Sequence, residues 1–327
     1  VGIDRITDDI QKYQAYHNKA ETPKDLIDIM NTAHEEFNAD FMVNFDKRFG
    51  DFSVTANLGT ATVYSKYKQL RGESGEAVIP DFISLGNGKT KLATQDFWSK
   101  RVNSVLGNAT IGYAYIDVTA RNDWSSTLPS DNWSYFYPSL SASAILSDIF
   151  SMPQDYFLKV RGSIAQVGND TGAYTLENVY TPGTLGSFTT AQTSNTYPLA
   201  DLKPEKTTSW ELGFDYRMFN NRLGIDFTYY KSTTTNQILS MPVPGSSGYG
   251  NKKINAGKME SKGIELMVNA TPFQNKDWRW DITLNWGKNT TRNISLNDKI
   301  KRYTFPLTTM VKIGKVVVDE GGKFGDI

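Results

Sequence analysis

The chain has 327 residues, 35 basic and 35 acidic side chains, a formal net charge of zero and no cysteine. That length holds one large domain or two ordinary ones, and the lack of cysteine excludes a disulfide framework and thiolate metal sites. Balanced charge without a basic block excludes an electrostatic nucleic-acid surface, so no nucleic acid is expected as a partner. Mean hydropathy is −0.44, and no run approaches the ~18 consecutive apolar residues of a membrane-crossing helix. A membrane β-barrel is untouched by that test, because alternation hides its apolar band. His17 and His34 are the only histidines, which leaves little for imidazole chemistry, and no cofactor is expected.

Thr22-Pro23-Lys24-Asp25 reads as an N-cap, an N1 proline and an acidic first turn. Leu26, Ile29, Met30 and Ala33 follow at i, i+3, i+4 and i+7, an apolar stripe that predicts a helix packed on a neighbouring surface. Residues 1–36 are therefore expected to form a short helical loop segment.

From Phe37 the period changes to two. Phe37, Ala39, Phe41, Val43 and Phe45 alternate with polar residues, and Phe52, Val54, Ala56 and Leu58 do the same after a short turn. A polar connection over residues 68–100 separates this hairpin from strands at 102–111, 116–120 and 137–145. Residues 122–136 read as a tryptophan-rich loop. A further strand at 157–161 precedes a long loop over 168–204.

The clearest hairpin spans residues 207–231. Trp210, Leu212, Phe214 and Tyr216 share one face, against Glu211, Gly213, Asp215 and Arg217. Phe219-Asn220-Asn221 reads as the corner, since Asn tolerates the positive φ of a tight hairpin. Leu223, Ile225, Phe227 and Tyr229 return on the apolar face, opposite Asp226 and Thr228. Strands at 264–270 and 280–286 repeat the pattern, with Glu265 on the polar side and Trp280 and Trp286 at the ends of the apolar one.

Short and long connections alternate, which is the asymmetry of an outer-membrane barrel. Loops of such length need a reason in a compact soluble domain. The apolar faces of the clear hairpins carry no charge, as lipid contact demands, and their aromatic ends suit interfacial girdles. Trp210, Leu212, Phe214, Phe227, Trp280 and Trp286 are then lipid-facing, and Arg121, Glu211, Asp215, Arg217, Asp226 and Glu265 lumen-facing. A soluble surface β-sandwich, serving as a carbohydrate-binding module, satisfies alternation equally. Nothing fixes the carboxylates in a pair at catalytic distance, and Asn169-Asp170 lacks calcium-loop spacing, so neither a catalytic nor a metal site is expected.

Residues 119–139, TARNDWSSTLPSDNWSYFYPS, resemble a signature of the SusC/RagA family of TonB-linked outer-membrane transporters. The resemblance continues in order through Arg101-Val102-Asn103-Ser104-Val105 and Leu158-Lys159-Val160-Arg161-Gly162-Ser163. It then takes in Gln166-Val167-Gly168-Asn169, Leu202-Lys203-Pro204-Glu205-Lys206-Thr207 and Trp210-Glu211-Leu212-Gly213. Asn255-Ala256-Gly257 and Gly263-Ile264-Glu265 complete it. It implies an all-β fold, a plugged antiparallel transmembrane barrel of about 22 strands, with long extracellular loops and a place in the bacterial outer membrane. It further implies TonB and a SusD-like surface lipoprotein as partners, and import of oligosaccharides or peptides without covalent chemistry. With roughly ten strands readable, the chain looks like an internal segment whose partners include outer-membrane lipid, the plug and the rest of its own barrel. Residues 37–289 are then barrel strands and loops, and 290–327 a loop leading onward. Trp124, Trp133, Tyr135 and Tyr137, on or beside one loop, are candidate substrate or loop contacts because aromatic rings near carboxylates suit sugar stacking.

Overall fold

A computed structural model describes residues 1–14, 26–50, 52–79, 82–112, 115–185, 188–296, 302–304 and 317–323. Eleven strands form one antiparallel sheet in which almost every strand pairs with its neighbours in sequence. They begin with β1 (Gly2–Gln14), β2 (Leu26–Phe49), β3 (Phe52–Ser74), β4 (Lys91–Gly112), β5 (Ile116–Ser125) and β6 (Ser134–Ile145). A helical turn, α1 (Leu146–Ile149), leads to β7 (Phe157–Asn169). Three short strands, β8 (Tyr180–Leu185), β9 (Phe188–Thr193) and β10 (Thr196–Tyr197), then leave the main sheet. The sheet resumes with β11 (Glu205–Met218) and β12 (Leu223–Thr235). After the excursion of β13 (Ile238–Pro242) and β14 (Asn251–Asn255), it ends with β15 (Lys258–Gln274) and β16 (Arg279–Ser295). A small hairpin of β17 (Arg302–Thr304) and β18 (Val317–Asp319) follows.

Short and long connections fall mostly at opposite ends of this meander, the exception being the link from Ile145 to Phe157, which carries α1 and lies at the short-turn end. At one end β2–β3, β4–β5, β11–β12 and β15–β16 turn within a few residues. At the other lie the β3–β4, β7–β11 and β12–β15 excursions. The expected Phe219-Asn220-Asn221 corner is present, with φ of 56°, 54° and 63° at its three residues. Asparagine takes the left-handed region readily, whereas Phe219 is held there as its ring packs on Tyr156 at 6.3 Å.

What the fold lacks is an apolar interior. Among the described residues the buried hydrophobic side chains are Ile27, Leu128, Leu202, Ala256 and Leu296, none of them from the alternating faces. Those faces are bare: Phe41, Leu58, Leu212 and Leu284 are 67%, 64%, 57% and 59% exposed. Along β6 the even-numbered residues from Ser134 to Leu140 are exposed and the odd-numbered ones half-buried. A sandwich would cover this face with a second sheet; here a single sheet presents it unlayered.

The predicted helix over 26–33 is a strand, and this corrects the expected helical segment near the N-terminus. β2 is 24 residues long and pairs with β1 on one side and β3 on the other. The apolar stripe at helical spacing is split between the two faces of the sheet. Long-range contacts outweigh local propensity there: Ile27 N–H donates to Ser74 Oγ at 3.1 Å. Asp28 accepts both Arg71 Nε and Nη2 at 2.9 Å, and this hydrogen bonding holds the Asp28 carboxyl below its ordinary range. The Thr22-Pro23 cap and His17 lie outside the described residues.

Three expected loops are shorter than the sequence implies. The 68–100 connection is mostly strand, since β3 runs to Ser74 and β4 starts at Lys91. The 122–136 loop shrinks to the residues between Ser125 and Ser134. Strand β16 carries the sheet past residue 289 to Ser295.

The cysteine-free background makes β2 directly testable. Asn31→Cys with Leu70→Cys, facing each other across β2 and β3, should form a disulfide under mild oxidation, because directly opposed Cα atoms fall within bonding range. Thr32→Cys with Leu70→Cys, on opposite faces, should not, as non-reducing gel mobility would show.

Candidate functional site

Directly opposed residues in a ladder share a face, so the pairing assigns every candidate side chain. Phe214, Phe227, Leu266 and Trp286 form one continuous cross-strand row on the apolar face. Leu212 opposes Tyr229, and Trp210 packs on the Tyr229 ring at 5.3 Å. Trp280 opposes Phe273 near the short-turn end. Above this band the same face turns charged, with Lys231, Lys262 and Lys288 taking the next outward positions and Lys231 Nζ 2.9 Å from Glu260.

The polar face collects Arg121, Glu211, Asp215, Arg217, Asp226 and Glu265. Its middle is braced by Arg161 of β7, which in the sequence stands out only as part of a motif. The Arg161 side chain crosses β11 and reaches β12, donating from Nη1 and Nη2 to Asp226 at 3.0 and 2.7 Å and from Nη2 to Thr228 at 2.6 Å. It can cross because Gly213 lies between them: a Cβ there would sit 3.0 Å from Arg161 Nε and 2.7 Å from the Phe227 carbonyl oxygen. Below it Arg217 Nη2 donates to Asp215 at 2.6 Å, and Glu265 opposes Thr228. Gly263 does for Tyr230 what Gly213 does for Arg161, leaving the ring room to lie over its backbone.

At the long-connection end the motif residues meet in a second network. Arg121 Nε donates to Asp123 at 2.7 Å and its Nη2 to Ser104 at 2.9 Å. The Tyr137 hydroxyl donates to the other Asp123 oxygen, and the Tyr135 and Tyr137 rings stack at 5.9 Å. Gly168 leaves space for Tyr135, since a methyl group there would overlap its ring. Asp170 accepts Lys100 Nζ at 2.5 Å and also the Ser125 hydroxyl. The expected loop carboxylate is therefore a strap, just past β7, that joins β4 to β5. Among the described residues no cluster of three or more carboxylate or imidazole ligands is assembled.

Asn255 ties the two longest connections together. Its Oδ1 accepts Lys203 N–H and its Nδ2 donates to the Lys203 carbonyl, both at 2.8 Å, and to the Asn236 carbonyl at 2.9 Å. Leu202 beside it is 1% exposed, and Gly257 supplies a φ of 92°. Glu205 accepts Ile238 N–H at 2.8 Å and Asn169 Nδ2 at 3.2 Å. Strands β10 and β14, one from each connection, pair in parallel.

The four candidate aromatics separate. Tyr135 and Tyr137 are on the polar face within the Arg121–Asp123 network. Trp124 opposes Asn103 and lines the apolar face with Phe41 and Val105. Trp133 is 51% exposed in the loop, where its carbonyl accepts Ser125 N–H at 2.9 Å. No shared aromatic surface joins them.

Two outcomes check these networks. Gly213→Val should expel Arg161 from Asp226 and destabilise the sheet by ~1–3 kcal/mol, the cost of overpacking, measured as a lower midpoint of denaturant unfolding. Asn255→Ala should leave that midpoint within ~1–2 kcal/mol of wild type but admit protease between residues 236 and 257, read by fragment masses.

Comparison with known proteins gives this geometry a family. The profile described as "TonB dependent receptor-like, beta-barrel" matches residues 5–319. TonB-dependent receptor P39 of Formosa agariphila is 25% identical over 316 residues, covering 91% of this chain and 29% of that protein. TonB-dependent receptor SusC of Bacteroides thetaiotaomicron is 28% identical over 237 residues, covering 65% of this chain and 23% of its own length. The structure of the RagAB peptide transporter superposes with a TM-score of 0.81 at 22% identity, over 98% of this chain and 36% of that one. The chain thus spans less than a third of the length of either curated relative. It belongs to the TonB dependent receptor-like β-barrel family, as part of the wall of an outer-membrane barrel.

Proposed function

We propose that the chain is a wall segment of a TonB-dependent transporter that imports oligosaccharides or peptides in concert with a SusD-like surface lipoprotein. The observation that carries this reading is the bare apolar face of a single sheet, with short turns at one end and long, mutually tied connections at the other. In lipid that face needs no second layer, and the polar face lines the lumen or contacts the plug. Trp210, Leu212, Phe214, Phe227, Trp280 and Trp286 are read as lipid-facing. Arg121, Glu211, Asp215, Arg217, Asp226 and Glu265 are read as lumen-facing.

Residues 39–49 of β2 pair with β3 alone among the described residues, and β16 pairs within the sheet with β15 alone. Backbone groups left unpaired in hydrocarbon would cost several kcal/mol each, so these edges are read as joined to the remaining strands of the complete barrel. TonB would act through the plug of that barrel. The Asn255 tie and the β10–β14 pairing favour a preformed rim as the docking surface for the lipoprotein, since rigid loops lose less entropy on binding.

A charge scan tests the assignment of faces. In the complete receptor reconstituted into vesicles, Phe227→Arg should cost ~2–4 kcal/mol of unfolding free energy, as expected for arginine near the bilayer midplane. Asn285→Arg, at a similar depth on the other face and outside the Arg161 brace, should cost well under half of that. Equal costs would remove the basis for the reading.

A further inference from the structure

Above the apolar band, the polar face of β2, β3 and β4 carries an aromatic row that neither network explains. His34, Tyr67 and Trp98 are adjacent ladder partners on three neighbouring strands. The Tyr67 and Trp98 rings lie near parallel, 12° apart at 5.6 Å, and His34 continues the row at 5.9 Å from Trp98. The Tyr67 hydroxyl is fixed by Gln69 Nε2 at 2.7 Å. Unlike Trp210 or Trp280, Trp98 is on the face that holds the ion pairs, where an indole gains nothing from lipid.

Trp98 borders a cavity of about 750 Å³ whose other walls include Lys100, Asn169, Asp170, Glu205 and Lys253. That size falls within the ~300–1,000 Å³ range of small-molecule sites. The carboxylates are already engaged: Asp170 by Lys100 and Ser125, Glu205 by Asn169 and the Ile238 amide. Their remaining lone pairs can accept hydrogen bonds from hydroxyl groups, Asp170 with the Lys100 cation beside it and Glu205 held by neutral donors, and Lys253 and Asn169 add donors. Two near-parallel rings, with a third tilted by 48° to Trp98, beside hydroxyl-compatible polar groups suit a pyranose ring, with its apolar C–H face and polar rim. A peptide would be better served by an open strand edge.

We propose that Trp98, backed by the Tyr67 and His34 rings, is a stacking platform for one ring of an oligosaccharide, with the Lys100–Asp170 and Glu205–Asn169 pairs reading its hydroxyls. The proposal rests on the transporter reading, in which this face lines the path of the cargo, and it narrows the cargo to glycans. The row is invisible in the sequence, because its members are far apart in the chain, with His34 on a stretch that reads as helix and Trp98 on one that reads as loop.

The test uses the complete receptor in detergent, titrated calorimetrically with short oligosaccharides from partial hydrolysates of starch, xylan and pectin, and separately with a tryptic digest of casein. Wild type should bind a glycan fraction. Trp98→Ala should weaken that binding by about tenfold or more, equivalent to ~1.4 kcal/mol, Trp98→Phe should retain most of it, and Trp133→Ala should leave it unchanged. Tyr67→Ala, which removes the ring beside Trp98, should weaken binding as well, and its undiminished binding would count against the platform, so a Trp98→Ala protein that fails to fold does not end the experiment. Undiminished glycan binding by Trp98→Ala, no glycan binding by wild type, or binding of the peptide digest alone would each overturn the platform. The last result would leave the transporter reading intact, whereas failure of wild type to insert into bilayers would defeat both.

Discussion

The structure depends on one constraint: a strand in an apolar medium must pair its backbone with neighbours, because no water is there to do so. A single, unlayered antiparallel sheet meets that demand, and it also explains the absence of an apolar interior. Side chains that would form a core in a soluble domain lie bare on one face of the sheet. Polar ones are gathered on the opposite face, where they pair with one another. The charged positions Lys231, Lys262 and Lys288 mark where the apolar face leaves the apolar band.

The sheet needs more than its ladder, because a one-layer wall has no packing to hold register. Side chains that cross strands supply it. Arg161 spans β11 through the gap at Gly213, Tyr230 lies over Gly263, and Tyr135 occupies the space that Gly168 leaves. These glycines are paired with large neighbours, so each is a consequence of what crosses it. At the rim the same logic is applied to loops: Asn255 grips the Lys203 backbone, and Asp170, just past β7, joins Lys100 of β4 to Ser125 of β5. The motifs that carry the family resemblance are largely the pieces of this bracing, which accounts for their order along the chain.

How much of this was legible depends on what surrounds each strand. Where one face of a strand is apolar and the other polar, the alternation is strict, and residues 207–231 read correctly down to the Phe219-Asn220-Asn221 corner. Where a strand extends beyond the apolar band, neither face is uniformly apolar and alternation stops. The upper halves of β2, β3 and β4 therefore read as a helix and a loop, although their ladders are continuous. Leu26, Ile29, Met30 and Ala33 fit a helical stripe by chance of spacing, and only the distant partners Ser74 and Arg71 reveal the strand. Within the candidate site the faces of Glu211, Asp215 and Asp226 were legible, since parity decides them. The division of Trp124 from Tyr135 and Tyr137 was hidden by an assumed loop, and the Arg161 crossing required three strands to be set side by side.

The most direct test of the central claim is a nitroxide scan through β12 of the complete receptor in lipid bilayers, one cysteine at a time from Leu223 to Tyr230. Collision with oxygen, which concentrates in lipid, and with a water-soluble nickel chelate is measured at each position. Oxygen contact should peak at Leu223, Ile225, Phe227 and Tyr229, with nickel contact never exceeding it there and oxygen falling at the residues between. A scan without that period of two, or one with oxygen peaking at Gly224, Asp226 and Thr228, would contradict the assignment of faces on which the account stands.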